Sequence, residues 1–104
     1  MSYKIIYHIG NEINISTKAK SGSLSLQELS IIISGLSTFE LPYSSLLSAQ
    51  LFRLNGLGRM IKVVCSDRII FLSVVRLNIA GYFVIINFLR TGELYKKIKA
   101  KLPQ

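Results

Sequence analysis

Residues 82–88 have the sequence YFVIINF, and residues 91–103 follow with TGELYKKIKAKLP. The first stretch is almost entirely aromatic and β-branched, which favours a strand because such side chains pack well on a pleated surface. In the second stretch Leu94, Ile98 and Leu102 recur every four residues, a spacing typical of a helix that packs on a core. Together they predict a strand followed by an amphipathic helix.

The predicted helix covers about residues 91–102. Thr91 is expected to be its N-cap, with the hydroxyl accepting a hydrogen bond from a free amide of the first turn. Glu93 places a negative charge near the positive end of the helix dipole, and Pro103 ends the helix. A helix of about 12 residues is marginal in isolation, so we expect it to dock on the sheet that precedes it.

Short β-rich runs separated by turn residues fill the rest of the chain and predict antiparallel strands. The runs are residues 3–9, 12–18, 23–26, 29–34, 39–46, 45–54, 59–65, 68–75 and 82–88. No repeat or linker divides them, so residues 1–104 form one domain.

Alternation within residues 59–65 predicts which side chains face the core. Ile61, Val63 and Cys65 point to one side, and Arg59 and Lys62 cannot share that side without the cost of burying a charge. Residues 82–88 are apolar on both faces, which predicts a strand covered on both sides by its own chain or by another subunit.

The composition and net charge of the chain indicate which kinds of partner it could bind. Half of the residues are apolar and only 17% are charged, so we expect part of the apolar surface to be covered by a partner or by self-association. The formal net charge of +8 favours anionic partners, either a membrane surface, phosphate head groups or nucleic acid, although a solvated basic surface explains it equally well. Nucleic acid is disfavoured because the arginines do not alternate with aromatic residues.

Cellular location follows from the cysteine content and from the apolar runs. Cys65 is the only cysteine, which fits a reducing compartment, and no signal peptide is visible. Residues 69–89 are long enough to span a bilayer, but they carry Arg76, Asn78 and Asn87, and two strands joined by a turn explain them better. We expect a cytoplasmic protein whose contact with a membrane, if any, is peripheral.

Three motifs resemble those of a known family. Residues 20–26 (KSGSLSL) precede LSIII, residues 41–46 are LPYSSL, and residues 88–94 are FLRTGEL. In order and spacing these resemble the G-x-L-x-L opening, the I-P-Y-x-x-I strand and the F-x-x-T-x-E-L helix entry of GRAM-type and bacterial pleckstrin-homology (PH) domains, over about residues 12–102. The resemblance implies a PH-like barrel of about seven antiparallel strands capped by one C-terminal helix. It also implies a non-enzymatic module that binds phosphoinositides, phospholipids or proteins, or assembles into oligomers.

Four cations, at two turns of the chain, are the expected contacts of an anionic head group. Phosphoinositide-binding members of the family carry a K-x(n)-[KR]-x-R pattern across the first hairpin. Here that place holds Lys18 and Lys20 with no arginine following, so the bidentate geometry of arginine is missing. Arg53 and Arg59 flank a second turn, whose tip, Leu57, could reach into an interface.

Catalytic and metal sites are not expected. The single His8 and the single Cys65 could form a nucleophile–base pair only if the fold brought them together, and nothing in their context suggests this. The acidic residues are scattered singly, without the spacing of zinc or calcium ligands. We therefore expect no enzyme, no metal and no cofactor.

The sequence thus predicts a mainly β binding module. Its expected function is protein–protein contact or self-assembly, with peripheral association to anionic lipid head groups. The alternatives are a monomeric domain that binds phosphoinositides or phospholipids, and a nucleic-acid-binding protein.

Overall fold

The computed structural model describes residues 2–10, 20–35, 37–54, 58–79, 83–86 and 88–103. These residues form eight strands, one short 3-10 turn and one helix. The strands are β1 (Ser2–Ile9), β2 (Lys20–Leu26), β3 (Ser30–Ser34), β4 (Thr38–Pro42), β5 (Leu46–Leu54), β6 (Gly58–Cys65), β7 (Ile69–Ile79) and β8 (Phe83–Ile86). The 3-10 turn is Tyr43–Ser45 and the helix, α1, is Phe88–Ala100.

Seven strands pair in the order β4-β3-β2-β1-β7-β6-β5, and every neighbouring pair is antiparallel. β4 and β5 lie at opposite ends of this order, yet only the turn Tyr43–Ser45 joins them. In a flat sheet the two strands would lie about 29 Å apart, whereas a link of this length reaches roughly 14 Å. The sheet must therefore curl until its two edge strands approach each other. The expected fold, an antiparallel barrel of about seven strands with one C-terminal helix, is confirmed.

The barrel interior is filled by alternate residues of the strands and by one stripe of α1. Leu94 and Ile98 are both 0% exposed, as the four-residue spacing predicted, and Leu102 packs partly buried against the same cluster. Strand side chains that are at most 1% exposed in this cluster are Ile5, Leu24, Ile31, Ile33, Ile61, Val63, Ile70 and Leu72.

Residues 70–75 of β7 are buried on both faces. Ile70, Leu72 and Val74 belong to the interior cluster, and the alternate residues Phe71, Ser73 and Val75 are buried on the opposite face. The prediction of a doubly covered strand fell on residues 82–88, whose side chains lie outside the described residues. Residues 83–86 form β8, which pairs with the far half of β7 and lies off the seven-strand order. The predicted strand at residues 12–18 also lies outside the described residues.

The predicted start of the helix was wrong. α1 begins at Phe88, so Thr91 is inside the helix and Glu93 lies beyond its first turn. Thr91 is 0% exposed, and its hydroxyl accepts a hydrogen bond from the amide of Val74 (3.1 Å) and donates one to the carbonyl of the same residue (3.3 Å). Thr91 therefore ties the helix to β7 and does not cap it.

The paired register of β6 with β7 ends close to this point, so a residue of the helix can hydrogen-bond to the backbone of β7. The register of β6 with β7 runs from Val64 opposite Ile69 to Ile61 opposite Leu72. Beyond it, the buried Ser73 hydroxyl donates a hydrogen bond to the carbonyl of Arg59. Beyond the paired register, the hydroxyls of Ser73 and Thr91 therefore make hydrogen bonds with backbone groups of the strands, since buried backbone groups require partners.

None of the helical residues described forms a helix that is long and apolar enough to cross a bilayer.

Candidate binding cleft

α1 packs against β5, β6 and β7, and an open cleft remains between its first turns and the two strands β5 and β6. We call it the helix–sheet cleft. Its volume of about 380 Å³ lies in the lower part of the range for ligand pockets. The lining residues are Leu51, Arg59, Leu89, Gly92, Glu93, Tyr95 and Lys96.

One face of α1 forms a wall of this cleft. Leu89, Gly92 and Lys96 follow the three- and four-residue steps that place side chains on one side of a helix. A Cβ atom at Gly92 would lie 2.9 Å from Nη1 of Arg59, so the guanidinium rests against the helix where a side chain is missing. The absence of a side chain at Gly92 therefore leaves room for the guanidinium of Arg59.

Arg53 and Arg59 stand directly opposite each other on β5 and β6. By strand alternation they share the side of Leu51 and Ile61, which is the interior side of the sheet. Arg59 thus shares the side of Ile61, a placement for which the sequence predicted the cost of burying a charge. At this end of β6 the interior side faces the cleft and not the packed core, so Arg59 is only half-buried and the charge keeps its contact with solvent.

The facing arginines have an electrostatic consequence. Like charges directly opposite each other in an antiparallel pair are destabilising. Arg53 is exposed and makes no ion pair with any residue that the structure describes. The pair therefore brings two positively charged side chains to the same end of the β5–β6 ladder.

The apolar part of the cleft complements these charges. Leu89 is 85% exposed at the start of α1, although burial of a leucine side chain normally stabilises a protein. Leu51 and Tyr95 are half-buried and pack against the core. The cleft therefore offers an apolar floor with an uncovered leucine at its rim.

Glu93 is the one carboxylate among the lining residues, and cations of the same helix already engage it. Its carboxylate lies 3.3 Å from Arg90 Nε and 3.3 Å from Lys97 Nζ. Lys97 Nζ also donates a hydrogen bond to the hydroxyl of Tyr3 (3.0 Å), and this bond, with a smaller contribution from Glu93, raises the pKa of Lys97. The other charged side chains that line the cleft, Arg59 and Lys96, are basic, and Arg53 is the strand partner of Arg59.

The expected set of four cations is divided by the fold. Arg53 and Arg59 come together, whereas Lys20 is exposed at the start of β2 opposite Tyr7. β1 and β7 lie between β2 and β6, which separates Lys20 from the arginine pair by roughly 14 Å across the sheet. Lys18 lies outside the described residues.

Lys20 belongs to a second basic area at the ends of β1, β2 and β4. Tyr7 packs edge to face on Phe39, with ring centroids 5.9 Å apart, and the guanidinium of Arg68 lies 5.5 Å from the centroid of the Phe39 ring. Asp67 pairs with Arg68 at 3.0 Å, and this hydrogen bond lowers the pKa of the Asp67 carboxyl. The area is therefore less positive than its lysine and arginine alone suggest.

His8 and Cys65 do not form a reactive pair. Cys65 lies in the interior cluster at 4% exposure, and burial raises the pKa of its thiol, which keeps it protonated. His8 lies on the opposite face of the sheet and stacks on Phe71, with ring centroids 6.4 Å apart. The described residues contain no cluster of three or more His, Cys, Asp or Glu side chains that could hold a metal ion.

Sequence reasoning missed most of the cleft. Leu89 lies between the predicted strand, residues 82–88, and the predicted helix, which begins at Thr91, so it was assigned to neither. A helix that begins at Phe88 would have placed Leu89 and Lys96, seven residues apart, on one face. The contact between Arg59 and Gly92 had no signal in the sequence, since it joins distant parts of the chain.

Two comparisons with known proteins found no match. No protein-family model matches the chain, and no curated protein matches it. The function proposed below therefore rests on the cleft, on the charge of the chain and on the motif resemblance.

Proposed function

We propose that this chain is a non-enzymatic binding module whose main task is to hold another protein at the helix–sheet cleft. The observation that carries the proposal is the cleft itself, which combines an apolar floor, the exposed Leu89 and the facing Arg53 and Arg59. Protein interfaces concentrate their binding energy in such places, where apolar, aromatic and arginine side chains meet in a pocket. The motif resemblance to PH and GRAM-type domains supports the same class, because members of that family bind proteins or lipids.

A second copy of the chain is the simplest protein partner. Ile9, Leu29, Leu47 and Leu89 are large apolar side chains with at least 42% exposure, and Leu47 lies at the bulge of the edge strand β5. Light scattering at two salt concentrations measures self-association directly. An oligomer that is stable at both would place a second copy on this apolar surface, and a monomer would assign the cleft to a different protein.

Selection from a random peptide library tests the proposed function without a known partner. Peptides captured by the wild-type protein should lose about tenfold in affinity for Leu89→Ser, because that variant removes the apolar rim of the cleft. Leu29→Ser is the matched control, since Leu29 is 78% exposed at a turn far along the chain from α1. Equal loss in both variants would contradict the cleft, and a selection that enriches no sequence would contradict the proposed function.

Association with anionic lipid is the second candidate, and the exposed Lys20 next to the Phe39–Arg68 area favours it together with the net charge of +8. Vesicles of phosphatidylcholine with added phosphatidylserine should bind the chain, and binding should fall steeply with salt. The double variant Lys18→Glu, Lys20→Glu should lose this binding. Lys99→Glu with Lys101→Glu makes the same change of charge elsewhere, and equal loss there, or binding that persists in high salt, would contradict a site at Lys20.

A further inference from the structure

We infer that two copies of this chain associate edge to edge through β8. The name β7–β8 ribbon is used below for residues 75–79 of β7 together with residues 83–86, which pair with them. In the dimer, the ribbons of the two copies form one four-stranded antiparallel sheet about a twofold axis. The inference goes beyond the proposed function, because it assigns a second interface that does not use the helix–sheet cleft.

The β7–β8 ribbon continues beyond the barrel. β1 pairs with β7 at residues 70–74, and β6 pairs with it at residues 69–72. Among the residues that the structure describes, residues 75–79 pair only with β8. The register shifts between Val75 and Leu77, where the ribbon leaves the barrel. The sheet therefore has only two strands here, and one of them lies off the seven-strand order.

β8 packs mainly on β7. No other described strand packs extensively on β8, and α1 packs on β5, β6 and β7 instead. A ribbon of two strands is marginal in water, and it becomes stable when further strands or a helix pack on it. Strands supplied by another molecule would meet this requirement.

The free edge of β8 selects an extended strand as its partner. β8 has β7 on one side and, within the described part of the chain, no strand on the other. The backbone N–H and C=O groups of an edge strand can pair with another strand. A bilayer offers no such groups, and open sheet edges do not occur in its hydrocarbon region. The ribbon is therefore better suited to a protein strand than to insertion in a membrane.

The sequence of β8 indicates that this strand comes from a second copy. Residues 83–86 are FVII, an apolar stretch without proline, glycine or charge. When such a strand pairs antiparallel with its own copy, apolar residues of the two strands come to lie opposite one another. This arrangement is the self-complementary contact that a twofold interface requires.

The charge of the chain favours the same place of contact. Each copy has a net charge of +8, so two copies repel each other wherever their cations meet. Residues 69–89 contain one charged residue, Arg76, and β8 contains none. Leu89, which is 85% exposed, follows β8 by three residues and adds apolar surface beside it. An acidic partner would gain little from this uncharged strand, whereas a second copy meets the least repulsion there.

Light scattering on charge variants tests the inference. The wild-type protein should be a dimer at micromolar concentration. Ile85→Lys places a charge within β8, and two such charges would meet near the twofold axis, so the dissociation constant of the dimer should rise at least about tenfold. Leu29→Lys and Leu47→Lys are the matched controls, because they add the same charge at leucines that are 78% and 64% exposed elsewhere. Both controls should remain dimers.

A mixture of two variants shows whether the loss reflects the contact or the fold. Ile85→Glu should weaken the dimer as Ile85→Lys does, and an equimolar mixture of the two should recover it, because opposite charges then meet across the axis. Recovery requires that both variants fold and that residue 85 of one copy lies near residue 85 of the other.

The salt dependence of the wild-type dimer is an independent measurement that needs no variant. Added salt screens the repulsion between two copies of charge +8, so the dimer should become tighter as the salt concentration rises. A complex held by attraction between opposite charges would become weaker under the same conditions.

Four results would overturn the inference. They are a wild-type monomer at both salt concentrations, a dimer that weakens with salt, a dimer that Ile85→Lys leaves intact, and a dimer that either control loses equally. If the protein is a monomer but binds library peptides in a manner that depends on Leu89, the inference fails and the proposed function stands. If the dimer depends on Ile85 and the library yields no peptide, the inference stands and the proposed function fails.

Discussion

Replacing Ile98 with alanine should lower the free energy of unfolding by about 3 kcal/mol. Ile98 is 0% exposed and projects from α1 into the interior cluster of the barrel. The truncation removes buried apolar surface and leaves a cavity, because a closed barrel cannot collapse fully around a missing side chain. Urea unfolding, followed by circular dichroism, measures the change.

Leu89→Ala is the control for this result, since it removes a similar number of atoms from the same helix. Leu89 is 85% exposed, so its truncation should change the free energy of unfolding by no more than about 0.5 kcal/mol. Similar losses in the two variants would mean that the face of α1 with Ile98 does not dock on the barrel.

Replacing Thr91 with valine should have the second largest effect, a loss of about 2 to 3 kcal/mol in the free energy of unfolding. The two side chains have nearly the same shape, and both are β-branched, so helix propensity changes little. The variant removes the hydroxyl that accepts a hydrogen bond from the amide of Val74 and donates one to the carbonyl of Val74. Both backbone groups are then buried without this partner, because Val74 is 3% exposed.

Thr91→Ser keeps the hydroxyl and removes only a methyl group, and it should therefore retain most of the stability that the valine variant loses. Denaturant unfolding of both variants under the same conditions makes the comparison. A valine variant as stable as the wild-type protein would show that the hydroxyl of Thr91 does not join α1 to β7.

The architecture was predictable because it depends on local periodicity. The four-residue spacing of Leu94 and Ile98 identified the docked face of α1, and the alternation of serines and leucines in residues 23–26 identified β2. Even Gly22 in the same motif has a structural reason, since a Cβ atom there would lie 2.5 Å from the carbonyl oxygen of Ser34. Such patterns reflect which side chains face the core.

The errors have a common physical cause. A threonine near a helix start is a typical N-cap residue, so Thr91 was assigned that role. The sequence does not show that the backbone amide and carbonyl of Val74 need the Thr91 hydroxyl as a hydrogen-bond partner. Strand alternation puts Arg59 on the same side as Ile61. It does not show that this side of the sheet opens into a cleft at the end of β6. Both features are decided by contacts between residues that are distant in the chain.

The candidate site was predictable only in part for the same reason. Arg53 and Arg59 were expected beside one turn, and the register of β5 with β6 brings them together. The other wall of the cleft comes from the first turns of α1, and its residue Leu89 lies before the predicted helix start. Lys18 and Lys20 were expected in the first hairpin and the arginines at a second turn, and the order of the strands separates Lys20 from Arg53 and Arg59.

A binding interface at the helix–sheet cleft is the central claim, and amide chemical-shift mapping tests it most directly. Labelled protein is titrated with the peptide that the library selection enriches, and the shifts of each backbone amide are followed by NMR. We expect the largest changes at Leu51, Arg59 and Gly92, with little change at Lys20 and Arg68. Changes concentrated at Lys20 and Arg68, with the cleft unaffected, would contradict it.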